Sequence, residues 1–267
     1  MRKEKHPQAR DRIIGARLRA IRKERTTLSL EEAAALAQWS PSTMSRIETG
    51  KRHIAPEDVA TISTIYGLPL TQRRELVESA RAGNASGWWD GVDVGVIATY
   101  EAEAFRLTDW SVNLVPGLLR TCRYAVGLMR SSDVPVEARW SALQRRQRIL
   151  GRLDYVVYLG EAALRTPFGG AESLREQLAA LLAARGRGIR VRVVRERQPS
   201  CLVTHSWSLM EFPNTTPVVH VEATGGGLFL HDEVAESYLD LVTALDRLAL
   251  SPAASEALIG EILGEPR

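Results

Sequence analysis

Ser42, Thr43, Ser45 and Arg46 crowd one short stretch of the chain, and Thr49, Gly50, Lys51 and Arg52 follow at its end. Hydroxyls both donate and accept hydrogen bonds, and a guanidinium donates through a planar fork. That set of groups matches the donor and acceptor edges that base pairs present in a duplex major groove. Lys51 and Arg52 add the charge that holds phosphates without reading sequence. This is the chemistry of recognition rather than of bond making.

Such side chains act together only if a short helix puts them on one face. Ser40 can cap a helix over 41–48 whose first residue, Pro41, has no N–H to leave unsatisfied. Met44 and Ile47 then point inward, leaving Ser42, Thr43, Ser45 and Arg46 outward, and Gly50 stops the helix. Upstream, Ser29 and Glu32 have capping-box spacing and open a helix over 30–37. Its inner face is expected from Ala33, Ala34, Leu36 and Ala37. Two helices about a tight turn would poise the second for a major groove. Around them the periodicity predicts a helix over about 12–25, with Ile13, Ala16, Arg17, Ala20, Ile21 and Leu18, and a fourth from Pro56. The fourth carries Val59, Ile62, Ile65 and Tyr66 at core spacing and closes at Gly67; a fifth over Gln72–Ala82 has Thr71 as cap and Leu76 and Val77 inward.

The charge distribution agrees. Residues 1–82 hold 16 Lys and Arg against 10 Asp and Glu, whereas the remainder holds 19 against 22, so the positive excess collects around these helices. The length of 267 residues accommodates two domains. No apolar run approaches the roughly 20 residues needed to span a bilayer, and the N-terminus lacks the apolar region of a secretory signal. Cys122 and Cys201 make no disulfide framework, so a cytoplasmic location is expected.

The boundaries expected are a DNA-binding domain over 1–82, a linker over 83–91 and a second domain over 92–267. The linker reading follows from the small and polar run Gly83–Gly87; Trp88 and Trp89 are expected to pack at the domain junction. In the second domain 98–110, 117–130 and 136–151 look helical, and the last carries Arg139, Arg145, Arg146 and Arg148 on what reads as a solvated face. Strands are expected at 154–159 and 189–194 about a helix over 171–185, which suggests parallel neighbours joined by a crossover. Further strands at 206–212, 218–223 and 228–230, a turn at Gly225–Gly227, and helices over 233–250 and 253–263 complete the chain. The fold class is therefore multidomain: an all-α five-helix domain followed by an α/β or α+β domain with a small mixed sheet.

Other chemistry is weaker. Cys201, His205, His220 and His231 lack the close pairs of a zinc site, so no metal and no cofactor is expected. Gly225–Gly227 matches no phosphate loop. A hydrolase triad drawn from Ser206, Ser208, His205, His220 and Asp232 lacks a nucleophile-elbow sequence, and Glu161 and Glu222 are single carboxylates, so no catalytic residues are assigned. Within the run Arg185, Arg187, Arg190, Arg192, Arg195 and Arg197, Arg190 and Arg192 alternate with apolar residues along a strand. The preferred reading is an exposed edge protected by charge; the sharper alternative is an anion or acidic-partner site.

Residues 13–68 resemble the XRE family of helix-turn-helix regulators, the phage-repressor type. The likeness rests on Leu28–Ala37, on Ser40-Pro-Ser-Thr-Met-Ser-Arg-Ile-Glu-Thr-Gly-Lys-Arg52 and on the Pro56 helix. It implies that Ser42, Thr43 and Arg46 contact base edges and that Thr49, Lys51 and Arg52 contact phosphates. It also implies that Glu48 pairs with Arg22 as a structural brace. Three departures stand out: Leu30 replaces a polar phosphate contact, the stretch Arg22–Leu28 carries one residue more than the usual spacing, and Trp39 fills a turn position usually held by a smaller apolar residue.

The remainder resembles the C-terminal domain of actinobacterial WhiJ-like, antitoxin-like regulators. The matches are Glu101–Ala104, Leu114-Val-Pro-Gly-Leu-Leu-Arg-Thr121 with Tyr124, Arg146-Gln147, Glu161–Arg165, Gly169-Gly170, Arg175–Leu178 and Leu250–Ser255. The two resemblances imply a DNA-binding transcriptional regulator, not an enzyme, that binds double-stranded operator DNA as a homodimer. They give the C-terminal domain to dimerisation, partner binding or ligand binding, the partner being a small adjacently encoded protein, and imply no membrane. The alternative is a small-molecule sensor or enzyme tethered to a DNA-binding module.

Overall fold

The computed structural model describes residues 9–81, 87–91, 94–128, 135–196, 205–213, 215–223 and 226–265. Five helices come first: α1 Ala9–Arg25, α2 Leu30–Leu36, α3 Pro41–Glu48, α4 Pro56–Ile65 and α5 Leu70–Arg81. Ile14, Leu18 and Ile21 of α1 share a buried cluster with Met44, Ile47, Ile54, Val59, Ile62 and Leu76. Two details differ from expectation. Leu36 is 60% exposed, because a helix turning about 100° per residue carries it off the narrow arc of Ala33, Ala34 and Ala37. Helix α5 starts at Leu70, with the Pro69 carbonyl accepting from Arg73 N, so Thr71 lies inside the first turn instead of capping it.

The second half is a seven-stranded mixed sheet. Its strands are β1 Gly87–Gly91, β2 Arg106–Ser111, β3 Asp154–Gly160, β4 Arg190–Val194, β5 Trp207–Phe212, β6 Thr215–Ala223 and β7 Gly226–Leu230, ordered β1-β7-β6-β5-β2-β3-β4. Strands β2, β3 and β4 run parallel, and every other pairing is antiparallel. Six helices pack around it: α6 Val94–Glu103, α7 Cys122–Leu128, α8 Val136–Gln147, α9 Ala171–Ala183, α10 Asp232–Leu248 and α11 Pro252–Gly264. One face builds a core with Tyr100 of α6, Tyr124 of α7, Leu174 of α9 and Ile259 of α11, and the other packs Trp110, Trp207 and Leu209 against Tyr238 of α10. No helix among the described residues is long and apolar enough to cross a membrane.

The crossover is present, since β3 and β4 are parallel neighbours with α9 between them. The helical reading of 98–110 is wrong beyond Glu103: Arg106–Ser111 is an interior strand of the sheet, between β5 and β3. Leu107, Thr108, Asp109 and Trp110 are all buried, and a strand covered on both faces loses the alternation that marks one in a sequence. The linker also needs correcting. Residues 83–86 lie outside the described residues, but Gly87–Gly91 is an edge strand, Trp88 standing opposite Phe229 of β7; the packing of the Trp88 and Trp89 side chains lies outside what is described. Glycine at both ends reads as linker when the pairing strand is remote. At the hairpin, Gly226 and Gly227 already belong to β7, whereas Gly225 lies outside the described residues.

The arginine-bearing strand β4 is the opposite edge. Arg190 pairs with Asp154 at 2.5 Å, and Arg192 donates to the carbonyls of Asp246, Ala249 and Leu250. The rim of β4 is closed by Leu250 N donating to Val193 O and by Val193 N donating to Ser255 Oγ. Arg192 thus pins the covering chain to the edge, while Arg190 ties β4 to β3. Arg197 and Cys201 lie outside the described residues.

Candidate nucleic-acid interface

Helix α3 is held at both ends by local hydrogen bonds. Ser40 Oγ accepts from Thr43 N at 3.1 Å, a cap contributing about 1 kcal/mol. At the other end Gly50, at φ +63°, lets Gly50 N donate to Ile47 O and Lys51 N to Arg46 O. Helix α2 ends in the same way, with Trp39 N donating to Ala34 O, although the left-handed residue there is Gln38 at φ +58°.

Helix α1 lies unusually close behind α3. A Cβ on Gly15 would stand 2.1 Å from Ile47 O, and one on Gly50 would stand 2.3 Å from Arg12 Cα. Glycine at both positions permits an approach that any side chain would block. A buried ion pair completes the support: Arg22 Nε and Nη2 each donate to a Glu48 oxygen at 2.7 Å, and Tyr66 Oη donates to Glu48 Oε1 at 2.8 Å. Burial, then the neighbouring carboxylate, pushes the Tyr66 hydroxyl far above its usual range. The extra residue in 22–28 is absorbed where Thr26 Oγ1 donates to Arg22 O and accepts from Leu28 N. Leu30 and Trp39 pack against the helical core.

The outward residues divide. Ser42, Arg46 and Lys51 are exposed, and none of their side chains forms a hydrogen bond to another described residue. Thr43 Oγ1 accepts from Ser40 Oγ at 3.0 Å and from Arg52 Nη1 at 3.4 Å, which draws Arg52 back along the helix. Thr49 donates its hydroxyl to Ser45 O at 2.7 Å, so that proton is already engaged. Met44 and Ile47 are buried beneath them. Sequence reasoning missed Asp11, which is fully buried and accepts from Ile54 N at 3.2 Å while lying 3.1 Å from His53 Nδ1. It ties the segment that follows Lys51 and Arg52 to α1.

Helix α1 also docks on the second domain. The Arg12 guanidinium lies 4.0 Å over the Phe212 ring and 5.8 Å from that of Tyr100, and donates to Thr216 O at 3.0 Å. Arg19 bridges to Glu103 at 3.0 Å.

A second polar cluster lies inside the C-terminal sheet. Asp109 of β2, Ser208 of β5, His220 of β6 and Phe229 of β7 stand opposite one another across four neighbouring strands. Asp109 Oδ2 accepts from the Tyr155 hydroxyl, but the buried Oδ1 has no hydrogen-bond partner. Above them Arg146 of α8 forms two bonds to Glu101 of α6, at 2.8 and 2.6 Å, so Arg146 does not belong to a solvated helix face. Burial pushes the Asp109 carboxyl up to about 6, aided by Glu101, while the Tyr155 and Ser208 hydroxyls and Arg146 oppose it. Burial likewise pushes His220 down to about 4. This row is no triad in the usual order, because Ser208 separates the carboxylate from the imidazole. The other candidates are dispersed: His205 Nε2 lies 3.2 Å from Tyr238 Oη, and Ser206 Oγ accepts from Val112 N.

A raised carboxyl pKa makes the folded protein hold a proton that the unfolded chain has released. Stability at this site is therefore lost as pH rises from about 4 to about 6. Asp109→Asn should remove that loss, stabilising the protein by up to about 3 kcal/mol above pH 7 and little at pH 4. Urea unfolding of both proteins across this range measures the difference. An equal difference at every pH would show that Asp109 does not titrate as described.

A family model described as a helix-turn-helix domain matches residues 13–76. Another, described as a domain of unknown function (DUF5753), matches residues 94–261. Among solved structures, the clp gene regulator ClgR from C. glutamicum aligns at 22% identity over 32% of this chain and 100% of that one, with a TM-score of 0.24. A comparison with curated proteins returns no match. The chain belongs to the DUF5753 family, and in it that domain follows a helix-turn-helix module built from α1 to α5.

Proposed function

We propose that the protein is a sequence-specific, DNA-binding transcriptional regulator of the XRE type, acting in the cytoplasm. The observation that carries this is the exposed face of α3: Ser42 and Arg46, with Lys51 beyond them, project from a helix capped at both ends and braced from behind. In this reading Arg46 bonds the edge of a guanine, Ser42 and Thr43 contact neighbouring bases, and Thr49, Lys51 and Arg52 hold phosphates. A homodimer would read two half-sites about 34–36 Å apart. Mobility shift on DNA from upstream of its own gene tests the assignment. Arg46→Ala should weaken specific binding by roughly tenfold to a hundredfold, following a loss of about 1–3 kcal/mol. Wild-type affinity in that variant would remove Arg46 from the contacts.

For the C-terminal domain the proposal is regulation by a small, adjacently encoded partner protein, in an antitoxin-like arrangement. Its support is an apolar groove of about 350 Å³ lined by Phe105, Glu211, Phe212, Pro213, Pro217 and Leu239, in which Phe105 and Leu239 are 46% and 40% exposed. Phe212 of this groove is the ring on which Arg12 of α1 rests, so a partner seated there would touch the docking point of the DNA-binding module.

A further inference from the structure

We propose that the polar row on the inner face of β2, β5 and β6, roofed by α6 and α8, binds a small zwitterionic ligand of the amino-acid type. In this site Asp109 receives the ammonium and Arg120 the carboxylate. Asp109 is 5% exposed, yet its Oδ1 is unpartnered. A buried carboxylate oxygen without a donor is costly, and a ligand that supplies the missing bond is one reason for a fold to keep such an atom.

Arg120 is the complementary group. Its Nε donates to Val115 O at 2.7 Å, and its two terminal nitrogens bond to no other described residue. The loop that carries it is held by three buried or half-buried side chains. Tyr124 Oη accepts from Val115 N, Gln147 Nε2 donates to Arg120 O, and Gln177 grips Leu119 O and Thr121 N. So much support fixes Arg120 more firmly than a solvated arginine requires. Asp109, Arg146 and Glu222 all lie within electrostatic reach of Arg120. Glu101 neutralises Arg146, which leaves Arg120 as the donor available to an anion.

The floor is aromatic. The His220 ring lies 4.7 Å from that of Phe229, over Gly227, where a Cβ would stand 2.1 Å from His220 Nε2. Glu101 is the α6 neighbour of Tyr100, and Glu103 of the same helix bonds α1. A ligand here would therefore press on the helix that seats the DNA-binding module. That consequence rests on the regulator reading; the binding itself does not.

The test is a thermal-shift screen of the full chain against the free amino acids at millimolar concentration, followed by calorimetry on any that bind. Each binder is compared with its N-acetyl derivative, which lacks the ammonium, and its methyl ester, which lacks the carboxylate. At a ligand concentration a hundredfold above Kd the Tm should rise by several degrees. Both derivatives, and the variants Asp109→Asn and Arg120→Gln, should bind at least about tenfold more weakly. Asn keeps an acceptor for Tyr155, so Asp109→Asn should remain folded. Absence of any shift, equal binding by Asp109→Asn, or a methyl ester as tight as its parent would each overturn the assignment. No arm uses DNA, so failure here leaves the mobility-shift result standing, and the reverse also holds.

Discussion

Glu48→Ala should destabilise the helix-turn-helix module by roughly 3–5 kcal/mol, the cost of leaving a buried charge without its partner. The Glu48 side chain is 1% exposed and that of Arg22 10%, so water cannot take the missing place. Without the carboxylate, Arg22 keeps only its bond to Leu28 O, and Tyr66 loses its oxygen acceptor. The sign changes when both charges go. Arg22→Met combined with Glu48→Leu should recover most of the loss, since apolar residues of similar volume often replace a buried pair without penalty. Urea unfolding of the two single variants and the double closes a cycle whose coupling measures the pair. Additive losses would mean that the two residues do not support α3 together. Neither residue is assigned to DNA, so the double variant should retain binding wherever it is folded.

Gly50→Ala is the second large effect, and it has an internal control. Gly50 and Gly67 each follow a helix in the left-handed region, at φ +63° and +68°. A side chain in that conformation costs about 1–2 kcal/mol. At Gly67 a Cβ would meet nothing within 4 Å, so Gly67→Ala should cost only that much. At Gly50 the Cβ would stand 2.3 Å from the backbone of Arg12, and overpacking adds about 1–3 kcal/mol more. Gly50→Ala should thus lose roughly 2–5 kcal/mol and move α1 against α3, weakening DNA binding even in molecules that stay folded. Equal losses at the two glycines would show that α1 yields freely. The same strain reaches Arg12, whose guanidinium joins the module to Phe212 and Thr216 of the second domain.

What could be read from the chain follows contact range. Ser29 with Glu32, Ser40 with Thr43, and the glycines after α3 and α4 all act within a few residues, so sequence spacing displays them. The Arg22–Glu48 pair spans 26 residues and was expected only through family resemblance. Asp11 was invisible, because an acidic residue in a first helical turn looks like an ordinary dipole partner until Ile54 reaches it. The interior strand Arg106–Ser111 is hidden for a related reason. Burial on both faces removes the period, and the strand's identity comes from neighbours about 50 and 100 positions away. Arg146 looked like one more surface arginine until α6 placed Glu101 against it.

By itself the sequence determined the helix-turn-helix module, its helix α3 with the caps at both ends, and the basic excess around it, because caps, periodicity and charge are local properties. Only the tertiary structure decided that Gly87–Gly91 extends the sheet, that α1 joins both halves through Arg12, and that Asp109, Ser208 and His220 form one row across the strands. Strand pairing and side-chain burial depend on which distant segments meet, and no local spacing encodes that meeting.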